Sequence, residues 1–130
     1  MKWAIVLLVM LLIAVTSAET IPFSGYNWTF DIGKQHSVDG GIIRTCNGSL
    51  SFIAPPTGVN FGDAKYIGSV KSLNIIFNLY YLAPDDYMAF DSNSVVADGT
   101  RLGIGVESTM NLTDTKDFMK TLKVERIKGS

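Results

Sequence analysis

The chain holds one cysteine, one histidine and four prolines in 130 residues. Small exported domains usually lean on several disulfides, and a lone cysteine excludes any internal one. The fold must therefore be held by packing, unless Cys46 joins a second chain. A lone histidine excludes a histidine-rich metal cluster, and it leaves His36 as the one imidazole that could serve Cys46 as a base. Charge of one sign is also missing. Eleven basic against twelve acidic residues give a net charge of −1, which offers no basic stripe of the kind that binds nucleic acid. No carboxylate pair, triad or metal cluster stands out, and no cofactor is implied. The segment LGIGV, residues 102–106, lacks the third glycine and the lysine of a phosphate loop, so its glycines read as a bulge or as close packing against a neighbour.

What is present begins with Met1-Lys2-Trp3, an unbroken apolar run over residues 4–15, and the small residues Thr16, Ser17 and Ala18. A basic start, a short apolar stretch and a small-residue end predict a signal peptide over 1–18, cleaved after Ala18. The run is short of the roughly 18 residues a spanning helix needs. The alternative is that the segment is retained as an N-terminal membrane anchor. Either way the domain over 19–130 lies outside the cytoplasm, secreted or in the cell envelope. That length suffices for one compact core and not for two.

GYNWTFDI, residues 25–32, alternates strictly, with Tyr26, Trp28, Phe30 and Ile32 on one side, and predicts a half-buried strand. GKQHSVDGG reads as a loop that carries His36. In IIRTCNGSLSFIA the pair Asn47-Gly48 predicts a type I′ hairpin. Cys46 then stands opposite Ser49 and Ile43 opposite Phe52, with Ile43, Thr45, Leu50 and Phe52 facing the core. Residues 54–69 concentrate proline and glycine and predict an irregular connection, with a short strand near Tyr66 and Ile67. SLNIIFNLYYLA, residues 72–83, predicts a long central strand whose second face is partly covered. Asp98-Gly99 marks another hairpin, with Leu102, Ile104 and Val106 inward. Asp114 can cap a helix whose apolar stripe is Phe118, Met119 and Leu122, and KVERI follows as a strand. The sum is a single α+β domain, mainly antiparallel sheet with one C-terminal helix packed on it; an all-β sandwich is the alternative.

Three Asn-x-Ser/Thr triplets occur, at Asn27, Asn47 and Asn111, where seven asparagines would give about one by chance. Each falls where solvent is expected, so these are candidate N-glycan acceptors. The acidic stretch with Asp85, Asp86, Asp91 and Asp98 invites a calcium reading, but Val95 holds the fifth position from Asp91 and the EF-hand pattern fails. Solvated turns are the better reading. The aromatic group Tyr80, Tyr81, Tyr87 and Phe90 fits core and edge packing better than a pocket lining.

GYNWTFDI and DTKDFMKTLKVE resemble the opening and closing stretches of small exported proteins of unknown function from methanogenic archaea. More distantly they are similar to PsbP-like domains, from which the chain differs in its length and in lacking a clear early helix. The resemblance implies an antiparallel sheet flanked by helix and a glycosylating archaeal envelope, and it carries over no catalytic residue.

The leading functional expectation is a non-enzymatic secreted or cell-envelope protein that acts by binding or structural association with an envelope or extracellular partner. One alternative is a small hydrolase or redox enzyme built on Cys46 and His36. Another is a carrier of a small apolar ligand under the strand at 72–83.

Overall fold

The computed structural model describes residues 18–33, 35–60, 62 and 64–128. The expected signal peptide, apart from Ala18, lies outside the described residues. In chain order the strands are β1 (Glu19–Phe23), β2 (Tyr26–Phe30), β3 (His36–Asp39), β4 (Ile42–Thr45), β5 (Gly48–Ile53), β6 (Gly58–Val59) and β7 (Lys65–Lys71). They continue with β8 (Ile76–Ala83), β9 (Asp86–Asp91), β10 (Val95–Ala97), β11 (Thr100–Leu102) and β12 (Gly105–Ser108). Helix α1 (Leu112–Thr121) and strand β13 (Lys123–Arg126) close the domain. Among the described residues no helix is long and apolar enough to cross a membrane.

Seven strands form one antiparallel sheet in the order β3-β4-β5-β12-β9-β8-β7. Its inner face presents Ile43, Leu50, Phe52, Val106, Ala89, Leu79 and Val70, all buried. A second sheet, β1-β2-β13, and the apolar stripe of α1 close over that face, so Trp28, Phe30, Val124, Phe118, Met119 and Leu122 join one core. Trp28 stacks on Phe52 with ring centroids 4.2 Å apart and donates its indole N–H to the Phe23 carbonyl at 3.1 Å. The result is the α+β architecture that the alternating strands and the single helical stripe predict.

The outer face of the large sheet is half covered. A ribbon of β10-β11-β6 lies over Tyr80, Met88 and Phe90, with Ile53, Val59 and Leu82 packed around them. Part of the second face of the 72–83 segment is thus covered as expected. The strand itself starts only at Ile76, because the Ser72 hydroxyl accepts the Asn74 and Ile75 amides at 3.3 and 3.0 Å and turns the chain. Leu73 is left outside, and β8 lies beside the edge strand β7 rather than at the centre of the sheet.

Local chemistry accounts for the other departures. Ser24-Gly25, with φ of 52° and 85°, makes a tight turn that adds β1 to β2, a strand the pattern of residues 25–32 does not reveal. The expected loop around His36 is strand β3, which pairs with β4. Asp98-Gly99 turns the chain as expected, with φ of 53° and 77°. Its return strand, however, breaks at Gly103, so Leu102 is exposed on the ribbon rather than inward, while Ile104 is buried just ahead of β12 and Val106 lies within it. The helix cap lies three residues before the expected one. Asn111 is the cap, its Oδ1 accepting the Asp114 amide at 2.8 Å, and Asp114 falls in the first turn, where its charge suits the helix dipole.

Candidate functional site

The hairpin that carries Cys46 differs from the expected one by a two-residue slip. Thr45 pairs with Gly48 and Ile43 with Leu50, so Cys46 and Asn47 form the turn. The Thr45 hydroxyl takes the turn's amide proton, accepting from Asn47 N at 3.1 Å. The positive φ is carried by Gly48, at 135°, and not by Asn47. A slip of two preserves the faces, and Ile43, Leu50 and Phe52 still point into the core. Cys46 is exposed at the tip with its thiol 3.5 Å from Asn47 Oδ1.

His36 is directed elsewhere. It lies on β3 across from Thr45, its Nε2 engages the Glu19 carboxylate, and its ring meets the edge of Phe30 at 6.2 Å. The acidic stretch is dispersed: Asp86 and Asp91 stand at opposite ends of β9, about 17 Å apart for six extended residues, and Asp98 is at the ribbon tip. Among the described residues no three His, Cys, Asp or Glu side chains are grouped to hold a metal ion. The aromatic group divides between the faces of the large sheet, with Tyr81 on Tyr87 on one and Tyr80 and Phe90 under the ribbon on the other. Gly103 and Gly105 are packing glycines, since a Cβ on either would meet Ser94 or Phe90 at 2.8 or 2.7 Å.

A concave site forms where the chain leaves β2 against the flank of α1. Asp31 is bound to the last turn of the helix twice over: its amide donates to the Thr121 hydroxyl at 3.1 Å, and that hydroxyl shares its proton between the Asp31 and Phe118 carbonyls. The start of the helix is fixed by a buried polar chain. Ser108 Oγ stands 2.7 Å from Thr115 Oγ1 and accepts the Met110 amide at 3.1 Å. With both ends held, a cleft of about 280 Å³ remains between the β2 exit and the helix. Buried Met110 and Phe118 with half-buried Ile32 make its floor, and Asp31, Asp114 and Asp117 stand around it. An apolar floor under three carboxylates suits a ligand with an apolar body and a positive charge. Sequence reading places Asp114, Asp117 and Phe118 on a helix and Asp31 on the wet side of a strand; what it lacks is the contact of Thr121 with Asp31, which joins the two.

An acidic pair lies on the outer sheet face, beside the covered Met88. Glu107 on β12 has its pKa raised, first by burial, then by the charge of Asp86 and a hydrogen bond to it. One Asp86 oxygen is buried without a hydrogen-bond partner. A carboxyl whose folded pKa exceeds its unfolded one binds more protons when folded, so its contribution is fully present below the unfolded value, near 4.3, and is lost as pH rises through the folded one. Glu107→Gln should therefore stabilise the domain at pH 7, by no more than about 1 kcal/mol because the group is solvent-screened, and the gain should shrink toward pH 4. Melts of both proteins across pH 4 to 7 check it. A difference that does not change with pH would remove the carboxyl pair as its cause.

Of the candidate glycan acceptors, Asn47 and Asn111 are exposed at the hairpin tip and the helix cap, and Asn27 is half-buried in the middle strand of β1-β2-β13. The chain matches no protein-family model, no curated protein and no solved structure.

Proposed function

We propose that this protein is a non-enzymatic, exported binding protein, secreted or held in the cell envelope, and that it grips a basic side chain of an envelope or extracellular partner in the cleft beside α1. The cleft of about 280 Å³ carries this reading, because its volume suits one long side chain. Lysine and arginine combine an apolar stem with a charged head, which matches Ile32, Met110 and Phe118 below and Asp31, Asp114 and Asp117 above. Export is supported by the apolar run at 4–15 and by β1, which starts at Glu19 directly after the expected cleavage point.

The test is an NMR titration with a short arginine peptide and its citrulline counterpart, which keeps the shape and removes the charge. Amide shifts are expected at residues 31–33 and 110–121 for the arginine peptide, weakening as salt rises. Asp117→Asn should lower the affinity about two- to fivefold, the worth of one partly screened ion pair. Equal binding of the citrulline peptide, or shifts centred elsewhere, would sink the proposal. Cys46→Ser should leave the binding unchanged. A turnover lost on replacing Cys46 or His36 would instead favour the enzyme alternative.

A further inference from the structure

Two of the three Asn-x-Ser/Thr triplets, remote in sequence, are brought together by the fold. Asn47 Nδ2 donates to Asp114 Oδ2 at 3.4 Å, and Asn111 Nδ2 donates to the same oxygen at 3.3 Å. The two amide nitrogens therefore lie no farther apart than those two contacts end to end, about the span of one sugar ring. We propose that Asn47 and Asn111 form a single N-glycan station, which accepts one oligosaccharide per folded molecule, and that Asn27 accepts none.

Both residues of the station are exposed, one in a two-residue turn and one at a helix cap. Asn27 differs in kind. It is half-buried within a strand paired on both sides, opposite Pro22 and Glu125, whereas the hydroxyl contact of Thr29 with Thr20, at 2.8 Å, has its counterpart in the station between Ser49 and Thr109, at 3.1 Å. A transferase must take hold of the asparagine and the hydroxyl residue together. At Asn27 this would mean opening the sheet over the core residues Trp28 and Phe30.

The donor class is an oligosaccharide linked to a polyisoprenyl phosphate or pyrophosphate. In the transfer, Nδ2 bonds to C1 of the first sugar, the bond from C1 to the carrier's phosphate oxygen breaks, and one amide proton leaves with the carrier. The substituted amide keeps one N–H for Asp114. The sugar then fills the space above Asp114 through which the second nitrogen would be reached, and a glycan is bulky. The occurrence of the modification in the cell rests on the export reading; the geometry of the station does not.

The experiment treats the purified folded protein with a single-subunit oligosaccharyltransferase and its lipid-linked donor, and reads intact mass and glycopeptides. One glycan increment is expected, divided between Asn47 and Asn111. Thr113→Ala, which keeps the Asn111 cap, should send the whole increment to Asn47, and Ser49→Ala should send it to Asn111. The double variant should accept none. Two increments on one folded molecule, a glycan on Asn27, or no transfer at all would each overturn the proposal. None of these outcomes depends on the cleft binding a basic side chain, so the two proposals fail separately.

Discussion

Phe30→Ala should cost about 3 to 5 kcal/mol of stability, while Thr29→Ala beside it should cost under about 1 kcal/mol. Phe30 is fully buried, at 0% exposure, where the second sheet, the large sheet and the helix meet. Its ring lies 6.0 Å from Phe52 and 5.6 Å from Phe118, so truncation removes contacts to two other elements at once. Strand and helix are fixed by hydrogen bonds on either side of it, from the β2 ladder and from Thr121 to Asp31, so the surroundings cannot collapse far into the gap. Thr29 points away from the core, and its hydroxyl meets that of Thr20. Denaturant melts of both variants check the claim. If the costs were reversed, the strand would be out of register by one residue. A domain of this size has only about 5 to 15 kcal/mol in hand, so the Phe30 variant should also show raised protease sensitivity.

The legible parts of this fold are those where one local rule decides. Strict alternation placed Trp28 and Phe30 inward, and helical spacing placed Phe118, Met119 and Leu122 on one face, because burial of apolar area dominates those choices. Asp98-Gly99 is legible because this pair takes the two positive φ values, 53° and 77°, that the turn requires. Where a side chain did compete, the rule failed. The Ser49 amide, which a type I′ turn at Asn47-Gly48 would send to the Cys46 carbonyl, goes to the Thr109 hydroxyl instead, and the Asn111 side-chain carbonyl caps the helix a turn ahead of Asp114. Strand β1 is not legible because ETIPF alone has little pattern; it is a strand by virtue of β2 beside it. The cleft was not legible, since its parts come from residues 31–33 and 110–121, and only the packing of α1 against β2 brings them together.

Gly48→Ala should destabilise the domain by about 2 to 4 kcal/mol, although the residue lies at an exposed hairpin tip where most substitutions cost little. Two independent penalties add. Gly48 holds φ at 135°, a conformation that side chains with a Cβ rarely adopt. A Cβ built there would stand 2.8 Å from the Thr109 carbonyl oxygen, and that backbone has little freedom to yield. Thr109 donates its amide to the Ser49 carbonyl at 2.9 Å and accepts the Ser49 amide on its hydroxyl at 2.8 Å, so shifting it would loosen the junction of β5 with the segment leading into α1. Asn47→Ala supplies the contrast. In a type I′ turn Asn47 would carry positive φ and its loss would be felt in the backbone, but here only its exposed contacts to Asp114 and Cys46 disappear, at a cost within about 0.5 kcal/mol. Thermal melts of the two variants separate the registers: a large loss for Gly48→Ala with almost none for Asn47→Ala fits Thr45 paired with Gly48, whereas comparable losses for both would restore the turn centred on Asn47 and Gly48. Because Asn-Ala-Ser remains a glycan acceptor triplet, the same Gly48→Ala protein also shows whether transfer to Asn47 follows the triplet or the shape of the turn that displays it.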